Sequence, residues 1–160
     1  MKRLFIVAGI SLLAGCANHA TQAVKPPNVV KLLDNDRATT YFSFEGISAY
    51  NNNLHLRQFY TIDNYKEPGV ISKEKNLSIY SSRTINVVNC DRMETAAFEL
   101  TFFSEPFAKG LVIARRDEVG QWRTFSEKSI MEMIRGLVCR TDPARLKPAL
   151  SKDTQTPLLE

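Results

Sequence analysis

The sequence predicts an α+β domain: a single antiparallel β-sheet of about five or six strands, with one C-terminal helix packed on it and pinned by a disulfide. Three observations carry that prediction. Alternating apolar runs fill residues 39 to 124, one convincing helical repeat follows them, and a cysteine stands at the end of a central strand and another at the end of that helix. The runs lie too close together to leave room for the crossover helices of a parallel sheet.

The strands come first. "TTYFSFE" (39–45) carries the aromatics Tyr41, Phe42 and Phe44, and "NLHLRQFYTID" (53–63) alternates through Leu54 and Leu56 until the phase slips at Phe59, as at a β-bulge. Between them Gly46 and the cluster Asn51-Asn52-Asn53 mark turns. "SRTINVVN" (82–89) sets Ile85 and Val87 on one face. In "TAAFELTFF" (95–103), Ala96, Phe98, Leu100 and Phe102 alternate with Thr95, Glu99 and Thr101, which predicts one packed and one wet face. A connection with Pro106 and Gly110 leads to "LVIAR" (111–115), and Gly120 precedes the short "QWRTF".

The helix is "EKSIMEMIRGLVC" (127–139), in which Ile130, Ile134, Leu137 and Val138 recur at helical spacing. Ser126 or Ser129 caps it, the latter with Glu132 three residues later as in a capping box. Gly136 costs such a helix up to about 1 kcal/mol relative to alanine, so it is expected either to permit close approach to the sheet or to mark an irregular last turn. Packing this stripe on the sheet puts Phe98, Leu100, Phe102, Ile130 and Ile134 in the expected core.

The ends of the chain read differently. Met1-Lys2-Arg3 and the apolar run Leu4 to Ala14 have the form of an export signal, and that run is short of the roughly 20 residues that span a bilayer. Leu13-Ala14-Gly15-Cys16 has the pattern of a bacterial lipobox, so Cys16 is the expected site of lipid attachment after removal of residues 1–15. Two or three acyl chains hold a protein firmly, at about 0.8 kcal/mol per buried methylene. Ala17 after the cysteine, in place of aspartate, points to the outer membrane of a Gram-negative bacterium. Residues 16–37, with Pro26-Pro27, are expected to form a lipid-anchored flexible tether, 38–140 the folded domain, and 141–160, with three prolines, a disordered tail.

Losing Lys2 and Arg3 takes the 21 basic side chains to 19 against 17 acidic ones, a balance that argues against nucleic-acid binding. With Cys16 lipidated, Cys90 and Cys139 are left. In an exported chain a disulfide between them is the simplest outcome, two buried free thiols being the alternative.

The run "YSSRTINVVNCDRMETAAFELTFFSEPFAKG", then "GQWRTF" and a helix ending "GLVC", resembles the surface-adhesin protein E family of small proteobacterial lipoproteins. The earlier "YFSFEGISAYNNNLHLRQFYTIDNY" is similar to that family's first strand, short turn and long second strand. The resemblance spans about residues 40 to 140 and implies a mostly antiparallel sheet, a packed C-terminal helix and a strand-to-helix cysteine bridge. Its matching positions are Cys90, Trp122 and Cys139, which adds Trp122 to the expected structural core; its implied role is attachment to host extracellular-matrix or serum proteins. Near Cys90 the cations are Arg83 and Arg92, offset by Asp91 and Glu94.

No catalytic constellation stands out, and the chain is not expected to be an enzyme. His19 and His55 lack a second histidine or cysteine at ligand spacing, so no metal and no cofactor is expected. There is no glycine-rich phosphate loop and no G-x-S-x-G elbow. Phe59, Tyr60, Tyr65, Phe103 and Phe107 cannot all point inward on alternating strands, so some of them are expected on a protein-binding surface. "LHLRQFYTI", if an edge strand, can pair with a second copy to give a homodimer. Two functions fit: a non-catalytic protein-binding lipoprotein of the outer membrane, such as an adhesin, or a periplasm-facing accessory lipoprotein that supports an envelope assembly.

Overall fold

The computed structural model describes residues 25–26, 28–117, 120–148 and 155–159. Six strands follow one another as an antiparallel meander: β1 (Val29–Asp34), β2 (Ala38–Tyr50), β3 (Asn53–Ser72), β4 (Leu77–Asn89), β5 (Glu94–Glu105) and β6 (Lys109–Asp117). A two-residue strand, β7 (Arg123–Thr124), pairs with Glu94 and Thr95 of β5. The helix α1 (Ile130–Cys139) follows β7. The expected architecture is therefore present, and so is the bridge between Cys90 and Cys139, with Cα atoms 5.7 Å apart.

Local chemistry accounts for the turns. Asn51 and Asn52 both have positive φ (50° and 58°), the requirement of the two-residue turn that joins β2 to β3, and asparagine tolerates that region better than most residues. Gly46 (φ 82°) lies in β2 where the pairing with β3 jumps from Ser43 to Ser48. That jump turns Ile47 into the core beneath the helix.

The two faces of the sheet have different cores. On one, Phe42, Phe59 and Val88 pack with Ile47 and with Ile134 and Val138 of α1. On the other, Ile62, Ile85, Val87, Phe103 and Val112 are all buried, and Phe107 packs with Val29 and Ile62. In a flat sheet β1 and β5 would be four strand spacings apart, about 19 Å. Yet Val29 of β1 and Phe107, just past β5, meet over the same residue of β3, so the sheet curls and the β5–β6 connection folds back across it.

The curl and one bulge overturn the expected strand phase. Ile85 pairs with Glu99 but Asn86 with Ala97, so Phe98 is an inserted residue. Beyond it the inner face carries Glu99 (4% exposed), Thr101 and Phe103, while Leu100 and Phe102, expected in the core, are half-buried on the helix side, and Phe98 is half-buried too. The buried Glu99 accepts a hydrogen bond from the Thr101 hydroxyl at 3.0 Å and lies 3.8 Å from Arg115 Nε.

Three further expectations change. β1 lies inside the stretch read as tether, because Val29 buries its side chain against Ile62 and Phe107. "LHLRQFYTI" is not an edge; it belongs to β3, which is paired on both sides, and the sheet edges are β1 and β6. The segment after 140, read as disordered, is tied down in its described residues. Lys147 N–H donates to the Ile47 carbonyl at 2.9 Å, and Leu158 and Leu159 donate to the carbonyls of Val112 and Ile113 on β6. An edge strand offers free carbonyls to any passing backbone, so these contacts need no periodicity in the tail.

Candidate functional site

The expected aromatic surface does not exist as such. Phe59 (0% exposed), Phe103 (2%) and Phe107 (8%) are core residues, because the curled sheet has two buried faces and strand alternation therefore delivers aromatics inward on both. Tyr60 and Tyr65 are half-buried: the Tyr60 ring lies under the Arg83 guanidinium at 4.7 Å, and the Tyr65 hydroxyl donates to Ser82 Oγ at 2.9 Å. Of the other residues expected in the core, Ile134 is there, whereas Trp122 and Ile130 are each 43% exposed. Trp122 immediately precedes β7 at the sheet margin, where two residues alone are paired.

The exposed apolar side chains gather instead around α1. Ser129 caps the helix, its hydroxyl accepting from Glu132 N–H, and the Glu132 carboxylate accepts in turn from Lys128 N–H. This fixes the helix start with Ile134 and Val138 against the sheet. Arg135 and the disulfide then hold the same side: Arg135 Nε–H donates to the Asn89 carbonyl at 3.1 Å and another guanidinium N–H to that of Cys90. Ile130, Met133 (55% exposed) and Leu137 (46%) form a second stripe that turns outward.

With Gly136, Arg135 and Arg140, that stripe lines a groove of about 580 Å³. A second groove of about 740 Å³ continues from it, sharing Leu137 and Arg140 and adding Phe44, Leu146, Arg145 and Lys147. Phe44 is 45% exposed, and its ring stands edge-on to the buried Phe42 at 4.9 Å. The combined surface thus has an apolar floor and a basic rim.

Gly136 does not serve the close approach to the sheet that its position in the sequence suggested. A Cβ there would meet nothing nearer than Arg140 Nη2 at 3.9 Å, and the helix continues regularly to Cys139. One sequence signal did point to this surface. Ile130, Met131, Met133, Ile134, Leu137 and Val138 occupy more of the helix circumference than one sheet contact can cover.

The remaining candidate residues are soon placed. Cys16 and His19 lie outside the described residues. His55 Nδ1 is 2.9 Å from Asp91 Oδ2, an exposed pair, and among the described residues no three histidine, cysteine or acidic side chains come together as metal ligands. No helix among the described residues is long and apolar enough to cross a membrane.

A sequence profile described as "Surface-adhesin protein E" matches residues 28–140. Solved structures of protein E share the fold. The protein from non-typeable Haemophilus influenzae is 17% identical, with 74% of this chain and 78% of that one covered at a TM-score of 0.60. Another Haemophilus influenzae protein E structure is 15% identical, with 78% and 92% covered at 0.62.

Proposed function

The chain belongs to the surface-adhesin protein E family, and on that premise we propose that it is a non-catalytic protein-binding module, lipid-anchored through Cys16 to the outer membrane of a Gram-negative bacterium. The observation that carries the binding role is the groove on α1. Ile130, Met133, Leu137 and Phe44 are each more than 40% exposed and line two joined grooves. Contiguous exposed apolar side chains within a polar rim are what protein interfaces use and what an isolated domain otherwise avoids. The ligand class that fits a family of surface adhesins is a host matrix or serum protein.

The lipobox at Cys16 supports the anchor, and in the sequence Cys16 precedes the start of β1 at Val29 by thirteen positions. Two measurements test the reading. Mass spectrometry of the mature protein should find an N-terminal diacylglyceryl-cysteine at Cys16. Protease shaving of intact cells should remove the domain; a domain degraded only after the outer membrane is permeabilised would place it on the periplasmic face, as an accessory of an envelope assembly.

A further inference from the structure

We infer that the groove on α1 receives an acidic amphipathic segment of a partner protein, whose apolar side chains seat along Ile130, Met133 and Leu137 over Gly136 and whose carboxylates face Arg140, Arg145 and Lys147. The inference rests on the proposed protein-binding role and names the chemistry of the partner.

Charge is the first reason. The two joined grooves are rimmed by Lys128, Arg135, Arg140, Arg145 and Lys147, whereas their acidic members are Glu132 and Asp142. Both carboxylates accept from main-chain N–H groups, Glu132 from Lys128 at the helix start and Asp142 from Ala144 at 2.9 Å in the turn after the helix, and both keep their charge, so the lining carries five cations against two anions. Arg135 donates to two neutral carbonyls, which leaves its charge unneutralised. Among the described residues no carboxylate forms an ion pair with Lys128, Arg140, Arg145 or Lys147. A chain close to charge balance overall therefore concentrates an excess of cations around one apolar groove.

Gly136 is the second reason, and it is independent of charge. Glycine in a helix interior is destabilising relative to alanine, yet no contact among the described residues requires it, since beyond the helix's own backbone a Cβ would meet Arg140 Nη2 first, at 3.9 Å. What the missing side chain does is lower the groove floor between Met133, Leu137 and Arg140. A bare stretch of helix backbone suits the close approach of a second segment more than it suits a free surface.

The test uses the unlipidated mature chain and three probes, measured by fluorescence anisotropy or co-sedimentation. They are an 18-residue helical peptide with a leucine stripe and glutamate flanks, the same peptide with lysine flanks, and vesicles of phosphatidylethanolamine and phosphatidylglycerol. The glutamate peptide should bind at least about tenfold more tightly than the lysine peptide and should weaken with added salt. Gly136→Leu and Arg140→Glu should each weaken it about tenfold or more, with melting temperatures close to that of the parent.

Equal affinity for the two peptides, or indifference to both substitutions, would overturn the inference. Vesicle binding that the same substitutions abolish, without a peptide preference, would reassign the face to an anionic membrane; a dimer that they dissociate would reassign it to a second copy. If a partner captured by other means binds regardless of Gly136→Leu, the protein-binding role stands while this groove is excluded from it. A chain found without lipid at Cys16 would overturn the anchor and leave the peptide result intact.

Discussion

Arg135 and Asn89 join the helix to the central strand, the guanidinium Nε–H of one donating to the main-chain carbonyl of the other at 3.1 Å. The next residue, Cys90, receives a second guanidinium hydrogen bond, is bridged to Cys139, and donates its own N–H to the His55 carbonyl at 2.8 Å. One strand end therefore carries a covalent clamp, an ionic hydrogen-bonded clamp and a ladder bond. The orientation of the groove depends on all three, because they fix which side of α1 faces out.

Cys139→Ser removes the bridge across 49 residues and should cost about 4 kcal/mol on the chain-entropy account. The melting temperature should fall by on the order of 15 °C. Arg135→Met should cost about 1.5–3 kcal/mol, and the double variant should be non-additive because both clamps hold the same strand end. A Cys139→Ser protein that melts within a few degrees of the parent would show that the bridge is not what secures the helix.

The two sides of the helix should respond oppositely to truncation. Ile134 is 1% exposed, so Ile134→Ala should destabilise by about 2–5 kcal/mol. Met133 is 55% exposed, and Met133→Ser should change stability by less than about 0.5 kcal/mol while weakening partner binding. Chemical denaturation of the two variants side by side measures the contrast.

Arg57 is 4% exposed on β3, and its Nε and Nη1 find no hydrogen-bond partner among the described residues. Burial pushes its pKa below the ordinary guanidinium value. Arg57→Met keeps much of the side-chain length and removes a desolvated charge with unpartnered N–H groups, so it should raise the melting temperature. The guanidinium stays protonated in both folded and unfolded chains at ordinary pH, so the gain should be the same at neutral and mildly acidic pH. A lower melting temperature for Arg57→Met would contradict this.

Asp34, at the end of the edge strand β1, is held below the usual carboxylate range first by the Lys66 ammonium at 2.7 Å and then by the Thr39 hydroxyl at 3.0 Å. A carboxyl with a depressed folded pKa contributes stability that is present above its unfolded pKa and lost as pH falls through the folded one. The carboxyl carbon of Asp34 should accordingly titrate at lower pH than that of an unpaired aspartate in an NMR titration, and the shift should shrink in high salt. Loosening of β1 on acidification should be absent in Asp34→Asn.

Phe107 and Ala108 both adopt positive φ (59° and 55°) in the turn that folds over the inner face. Asn64 Oδ1 accepts from Phe107 N–H at 2.7 Å and Ser81 Oγ from Ala108 N–H at 3.0 Å. Ala108→Gly should leave stability unchanged or raise it, by up to about 1 kcal/mol, where alanine to glycine ordinarily lowers it. Asn64→Ala should cost about 1–3 kcal/mol by orphaning a buried N–H. In thermal melts Asn64→Ala should lower the melting temperature and Ala108→Gly should not.

Much of this fold was legible in local patterns. The meander follows from short apolar runs separated by turn residues such as Asn51 and Asn52, and the helix start from Ser129 and Glu132, because hydrogen bonds within a few residues decide those features. The bridge between Cys90 and Cys139 was expected once the chain was read as exported and Cys16 was set aside for lipid. β1 was missed although Val29, Val30, Leu32 and Leu33 are apolar, because they do not alternate and one side chain alone, Val29, is buried, so nothing local marks a strand until its partner is present.

The sequence by itself determined the order of β2 to β7 and α1, and it carries the Leu13-Ala14-Gly15-Cys16 pattern on which the proposed address rests. The tertiary structure decided which side chains are inside. Alternation reports a face only when one side of a sheet is wet, and here the curl buries the second side, while the inserted Phe98 shifts the phase so that Glu99 goes in and Leu100 turns toward the helix side. The sequence showed a surplus of apolar residues on α1 but not which of them would be left outside. Ile130, Met133 and Leu137 become a surface only because the sheet contact is already filled by Ile134 and Val138, and that is a property of packing rather than of spacing.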